Sequence, residues 1–247
     1  MFSDVFIDRK FKLPRAWSNQ EIAKFAPAFS GDIVNVSAWQ DRDKQGRTYE
    51  SYFKNAGSYS RTNYKAEAMG FQGEENEIFL DLTGELPKDL RQKFDLVFNH
   101  TVLEHIFEVD KAFENLCTMS RDAVMIVVPF VQQMHAEYGD YWRFTPTCLQ
   151  KMFEKNGFTP VYLSYNGQPF SSVYIFVIAA RDPQKWQGKF ENNCPGGQVP
   201  FLEKKYFADQ YDSFVGTNAM PSILHCLYRY IGGMKAKLTG QKQGDEA

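Results

Sequence analysis

The sequence predicts an α/β protein built on a mainly parallel sheet with an antiparallel edge strand. Three observations carry this. Phe94-Asp95-Leu96-Val97-Phe98 is a short apolar run broken by Asn99-His100-Thr101 and restarted at helical spacing by Val102, Leu103 and Ile106, the strand, turn and helix unit of open sheets. Similar runs alternate with helical patterns along the chain, as crossover connections require. The last two runs, Val161 to Tyr165 and Val173 to Ala180, flank Asn166-Gly167 as a closing antiparallel pair.

Taken in order, residues 1–17 have no strong period and read as an arm. Ser18 is placed as an N-cap with Glu21 three residues on, a capping box. Ile22, Phe25 and Ala26 then form a short amphipathic stripe up to Pro27. Ile33 to Val36 is the first strand, Ser37 to Gly46 a polar loop and Thr48 to Phe53 a short helix. Tyr59 to Tyr64 and Ile78 to Leu82 are the second and third strands, with a turn and short helix at Leu86, Pro87 and Leu90. Val109 to Ser120 presents Val109, Ala112, Phe113, Leu116 and Cys117 on one face. Ala123 to Phe130 is the most hydrophobic strand. Thr147 to Asn156 is a helix with Thr145 as N-cap, Pro146 at N1 and Gly157 at C′. Past Arg181 the pattern weakens. Ile223, Leu224, Leu227, Tyr228 and Ile231 suggest one last helix, packed on the domain or forming a dimer contact, before a flexible tail from Gly240. The chain therefore divides into an N-terminal arm and helix (1–30), an α/β domain (31–180) and a C-terminal extension (181–247).

Composition narrows the functional classes. Among 247 residues the net charge is −2, so no basic field argues for nucleic acid. Aromatic residues reach 16%, with 22 Phe and 13 Tyr, which predicts ring-rich core and clefts. Cys117, Cys148, Cys194 and Cys226 form no CxxC pair and sit near no histidine at zinc-ligand spacing, so reduced thiols and no metal site are expected. The longest purely apolar stretch, Val173 to Ala180, is far below the roughly 20 residues that span a bilayer. A soluble, cytoplasmic protein without an integral membrane segment is the expectation.

Two blocks carry a family resemblance. Asp95-Leu96-Val97-Phe98-Asn99 followed by Val102-Leu103-Glu104-His105-Ile106 resembles the fourth-strand motif of class I S-adenosylmethionine-dependent methyltransferases. Val128-Pro129-Phe130, then His135, then Asp140-Tyr141-Trp142-Arg143-Phe144-Thr145-Pro146, is similar to a subgroup often encoded beside glycan-synthesis enzymes. The resemblance covers roughly residues 31 to 180. It implies a seven-stranded, Rossmann-like doubly wound sheet, S-adenosylmethionine as cofactor, and a donor site at the strand ends.

By the same resemblance, Val34-Asn35-Val36-Ser37-Ala38-Trp39 occupies the place of the first motif, where the family has an acidic residue and then Gly-x-Gly. Here Asn35 replaces the acid, and Ser37 and Trp39 stand at the glycines. Asn63 stands where an Asp or Glu bonds the ribose hydroxyls, while Asp81, beside Leu82, keeps its identity near the adenine. Asn99 and His100 form the wall nearest the donor. Exchanging a charged hydrogen bond for a neutral one costs about 1 kcal/mol each. Trp39 either fills the space a glycine leaves open or stacks on adenine or sulfonium, and Asp41 and Asp43 are candidates to restore the missing charge.

His135, in the loop where acceptors approach, is the candidate catalytic base, a neutral imidazole taking the proton from a sugar hydroxyl. The competing reading is a loop histidine bonded to backbone. His105 is read as structural rather than catalytic, and Glu104 as a cap or partner near a helix start. Tyr141 and Arg143 are candidate substrate contacts, Arg143 gripping phosphate or carboxylate and a ring stacking on a sugar face. The alternative is an Asp140–Arg143 ion pair that pins the loop, with Trp142 in the core. The leading functional expectation is methyl transfer to a small-molecule hydroxyl, a glycan or nucleotide sugar. The alternative is a degenerate member serving as a binding or scaffolding subunit. A nicotinamide-dependent oxidoreductase ranks below both, since no Gly-x-Gly-x-x-Gly follows a strand.

Overall fold

In a computed structural model, residues 12–65, 70–132, 134–135, 139–166 and 172–200 are described. The expected final helix around Ile223 to Ile231, the tail, and the Asn166-Gly167 turn at its second residue lie outside them. Strands β1 (Gly31–Val36), β2 (Ala56–Asn63), β3 (Glu77–Phe79), β4 (Phe94–His100), β5 (Ser120–Pro129), β6 (Thr159–Tyr165) and β7 (Tyr174–Ala180) form one seven-stranded sheet in the order 3-2-1-4-5-7-6. The first five pair in parallel, and β7 runs antiparallel between β5 and β6. The antiparallel pairing therefore falls at the expected edge, with β7 one place in and β6 outermost.

Central strands read as unbroken apolar runs because both faces are covered. Along β5, Val124, Ile126 and Val128 point into one core, with helices α2 (Val109–Met119) and α3 (Pro146–Lys155), while Ala123, Met125 and Val127 point into the other. That second core is closed by α1 (Lys12–Phe25), through Ile22 and Phe25, and by Phe29 against Trp186, whose rings lie 4.6 Å apart. Thr145 caps α3 by accepting from the Cys148 amide, Pro146 opens it, and Gly157 follows it at φ +72°.

The N-terminal helix is longer than the sequence predicts. Ser18 lies inside α1 rather than at its start, and its hydroxyl donates to the Arg15 carbonyl at 3.0 Å and lies 2.8 Å from His100 Nε2. After β4 the chain makes only a 3-10 turn, Leu103–His105, before α2 begins. The helix expected from Val102 is that single turn, because Thr101, at φ +50°, and the extended Ile106 interrupt helical geometry on either side.

At the opposite rim, Arg121 joins the starts of β1 and β4. Its guanidinium reaches Asp32 at 2.8 Å and Asp95 at 2.6 Å. Gly31, at φ +83°, is required there, because a Cβ would lie 2.0 Å from Asp95 Oδ2. The Ser58 hydroxyl and then Arg121 hold Asp32 below its ordinary pKa, and Arg121 chiefly does so for Asp95. Carboxyls depressed in the folded state add stability that is present above their unfolded value of about 4 and lost as pH falls through the folded value. Urea unfolding between pH 6 and pH 2.5 is expected to show this loss below about pH 4–5, and Arg121→Met is expected to flatten it. An unchanged slope in that variant would discard the assignment.

Among the described residues no helix is long and apolar enough to cross a membrane. Cys117 and Cys194 are buried free thiols and Cys148 is an exposed one.

Candidate functional site

The strand order reverses between β1 and β4, so the crevice of this sheet lies at their carboxyl ends. Asn99 sits across from Val36 in the β1–β4 register and donates through Nδ2 to the Val36 carbonyl at 3.0 Å. It is fully buried, and its Oδ1 has no hydrogen-bond partner among the described residues. A buried acceptor left unpaired costs about 1–3 kcal/mol, so a ligand donor that reaches this atom recovers that cost.

Beyond β1 the backbone takes a left-handed course without glycine. Ser37 has φ +56°, Trp39 +48° and Asp41 +57°. The first two are the positions read as lost glycines, so the turn persists with larger side chains on it. Its amides are held from β2. Ser37 N donates to Thr62 Oγ1 at 3.2 Å, Ala38 N to the Thr62 carbonyl at 3.1 Å, and Trp39 N to Asn63 Oδ1 at 2.6 Å. Trp39 is 41% exposed and lies at the surface rather than in the core.

Asn63 also donates to the Trp39 carbonyl at 3.1 Å and to Glu77 Oε1 at 2.5 Å. Its amide ties loop to strand, and the carboxylate expected at that position stands on β3 directly behind it. Asp41 and Asp43 do not offer their charge to a ligand. Asp41 accepts from Asn35, Tyr59 and the Glu50 amide, and Asp43 from Tyr52, Arg47 and the Gln45 amide. Both are buried and fold the loop onto β1. Asp81 turns its carboxylate to the amide and hydroxyl of Thr83, at 2.8 and 2.7 Å, and Leu82 is a core residue.

His100 is buried behind the crevice. Arg15 Nη1 donates to its Nδ1 at 2.7 Å, and Arg15 also reaches Tyr49 and Thr101. Burial, followed by the Arg15 charge, pushes the His100 pKa far down, so the ring is neutral. It serves as an anchor for α1 rather than as the ligand wall the sequence suggests. Arg15 escaped the sequence reading, although it shares a helix face with Ser18, Ile22 and Phe25.

The loop after β5 is fastened onto the turn after β4. Tyr141 N donates to the Glu104 carbonyl at 2.8 Å, Trp142 Nε1 to Ile106 at 3.0 Å, and His105 Nδ1 lies 2.5 Å from the Gly139 carbonyl. Gly139 has φ +103°, and a Cβ there would meet the Tyr141 ring at 2.7 Å. Arg143 grips Asp140 at 2.5 and 2.7 Å and donates to the Gln132 and Trp142 carbonyls. The loop-pinning ion pair is thus present, and Arg143 is engaged in it rather than held out for a phosphate. Trp142 is not in the core. It is 37% exposed and, with Phe107 (64%) and Tyr141 (52%), makes a surface cluster of rings.

This fastening brings together a group the sequence does not reveal. Glu104 is wholly buried, and neither carboxylate oxygen has a hydrogen-bond partner among the described residues. Burial lifts its pKa to about 8. His105 Nε2 lies 3.8 Å from Glu104 Oε1, and the His135 ring packs edge-on against His105 at 5.1 Å between centroids. The His135 backbone amide donates to Asp140 Oδ2 at 2.8 Å, and its side chain stays 38% exposed. One donor atom from each of Glu104, His105 and His135 falls within 4.8 Å of the other two. This corrects the expectation of no metal-ligand cluster.

No protein-family model matches the sequence, and no curated protein matches it. Solved structures do. The magnesium protoporphyrin IX methyltransferase (ChlM) from Synechocystis PCC 6803 aligns with a TM-score of 0.50 at 11% identity. The alignment covers 72% of this chain and 88% of that one in the form with bound SAH, 84% in the form with bound SAM. A methyltransferase in complex with the Haloferax volcanii Trm112 methyltransferase activator gives the same TM-score and identity over 70% of this chain and 93% of that one. At such identity the likeness shows the fold alone, a seven-stranded α/β sheet that these methyltransferases share.

Proposed function

We propose that this chain is an S-adenosylmethionine-dependent methyltransferase acting on a hydroxyl of a small molecule, with a glycan or nucleotide sugar as acceptor. The observation that carries the reading is Asn99 Oδ1, a buried, unpartnered acceptor at the β1–β4 switch point. It suits the ammonium of the donor. The left-handed Ser37 to Trp39 turn supports the same reading, since it keeps the backbone course that glycines otherwise provide. S-adenosylmethionine supplies an electrophilic methyl on a sulfonium.

The residues of this chain do the rest. Asn99 holds the donor, with the Trp39 ring available to stack on it and Asp81 at the adenine end. Phe107, Tyr141 and Trp142 offer a ring surface for a sugar face. His135 is the accessible member of the Glu104, His105 and His135 group and stands where the acceptor hydroxyl would lie. The methyl neighbours with bound SAM or SAH agree with this reading by fold. Isothermal titration with S-adenosylmethionine and with S-adenosylhomocysteine is expected to give micromolar binding of both, and no heat at millimolar ligand would overturn it.

A second reading, a binding or scaffolding subunit without donor affinity, is favoured by one observation: the Asn63 amide is closed onto Trp39 and Glu77. Restoring an acid at position 63 alone would set two carboxylates against each other. The informative variant is therefore Trp39→Gly with Asn63→Asp and Glu77→Gln. Donor binding that appears only in this variant supports the scaffold; micromolar binding in the wild type dismisses it.

A further inference from the structure

We propose that Glu104, His105 and His135 form a binding site for one divalent transition-metal ion, of the zinc or manganese kind, at the acceptor end of the crevice. Three features of geometry point there. The donor set is two imidazoles and a carboxylate, which suits first-row divalent ions and leaves further positions open to a substrate oxygen. The three donor atoms lie within 4.8 Å of one another, and bonds of about 2.0–2.2 Å to one ion need only a small inward movement from that spacing. Glu104, which has no solvent contact and no hydrogen bond to either oxygen among the described residues, is aimed into this group, 3.8 Å from His105 Nε2.

The surroundings fit as well. His105 Nδ1 is fixed by the Gly139 carbonyl, which assigns Nε2 as the lone-pair nitrogen facing Glu104. Asp140 Oδ2 accepts from Arg143 Nη2 and lies 3.4 Å from His135 Nδ1, a buried nitrogen with no hydrogen-bond partner among the described residues. His135 is 38% exposed, so an ion has a route in from solvent. The residues come from two loops 30 positions apart, and the bonds from Tyr141 and His105 that join the loops preform the cluster.

The site itself does not depend on the methyltransferase reading, but its catalytic use rests on it. An acceptor hydroxyl bound to the ion loses its proton to solvent more readily. The alkoxide oxygen then forms the new C–O bond as the S–CH3 bond breaks, and the electron pair of that bond leaves with sulfur as a neutral thioether. His135 in this arrangement acts by holding the ion.

The experiment is titration calorimetry of the full chain, stripped with chelator, using zinc chloride and then manganese chloride as probes. Wild type is expected to bind one equivalent, and Glu104→Gln and His135→Ala are each expected to bind at least tenfold more weakly. Cys148→Ser is expected to bind as wild type does, which excludes the exposed thiol. Circular dichroism checks folding, and because His135 is partly exposed, its variant carries the test should Glu104→Gln fold poorly. Absence of binding in wild type, or undiminished binding in His135→Ala, overturns the proposal. Donor binding is measured in a separate titration with chelator present, so loss of the metal site and loss of the methyltransferase reading are told apart.

Discussion

An Asp41→Ala chain is expected to lose about 3–5 kcal/mol of stability in urea unfolding. Asp41 is 2% exposed and its carboxylate is shared by Asn35 Nδ2 at 2.7 Å, the Tyr59 hydroxyl at 2.7 Å and the Glu50 amide at 2.9 Å. Removing it leaves three donors without their acceptor, and a hydrogen bond to a charged group is worth about 1.5–3 kcal/mol. The sum is smaller than three such bonds because the loop relaxes and water reaches Glu50. Alanine also tolerates the left-handed backbone at this position less well than aspartate. Asp41→Asn, which keeps one acceptor oxygen, is expected to lose about 1 kcal/mol. Because the same loop carries Ser37 and Trp39, donor affinity should fall with stability in the alanine variant. A loss under about 1 kcal/mol would mean that the carboxylate does not hold the loop.

Asp41 also marks the boundary of what the sequence discloses. The sheet is legible because each central strand is buried on both faces and must be a compact apolar run. Phe94 to Phe98 and Ala123 to Val128 carry that signal without help from the rest of the chain. The cap at Thr145 and the stop at Gly157 are legible for a similar reason, since both obey rules that act within four residues.

The site is different in kind. Ser18 looks like an N-cap because serine before an apolar stripe satisfies a local rule. Its actual partner, His100, is 82 residues away, and the stripe simply continues through it. Glu104 looks like a helix-start acid, yet the helix is one 3-10 turn, and the loop around Gly139 to Arg143 closes over it. The Asn63 and Glu77 pair is the same lesson on two strands. An acid that looks lost from β2 is present on β3, and only the parallel β2–β3 pairing brings it behind the amide. Motif comparison reads positions one at a time, so a charge moved sideways across a sheet is recorded as a deletion.

The second large effect is expected at Asn99, where stability and binding should part company. In Asn99→Leu the side chain keeps the same branching and number of heavy atoms, and the unpaired Oδ1 disappears along with the Nδ2 bond to the Val36 carbonyl. Losing a bond that contributes about 1 kcal/mol while removing an acceptor whose burial costs about 1–3 kcal/mol nearly cancels, so folding stability is expected to stay within about 1 kcal/mol of wild type. The donor's ammonium, however, loses a hydrogen-bonded partner at a fully buried residue, an interaction worth about 1.5–3 kcal/mol. Affinity for S-adenosylmethionine is therefore expected to drop about 10- to 100-fold. Urea unfolding and titration calorimetry on the same preparation separate the two outcomes. If stability and affinity fall together, Asn99 is a structural clamp between β1 and β4. If stability holds and affinity is unchanged as well, the ligand of this crevice does not reach Oδ1, and the donor site must be sought elsewhere along the strand ends.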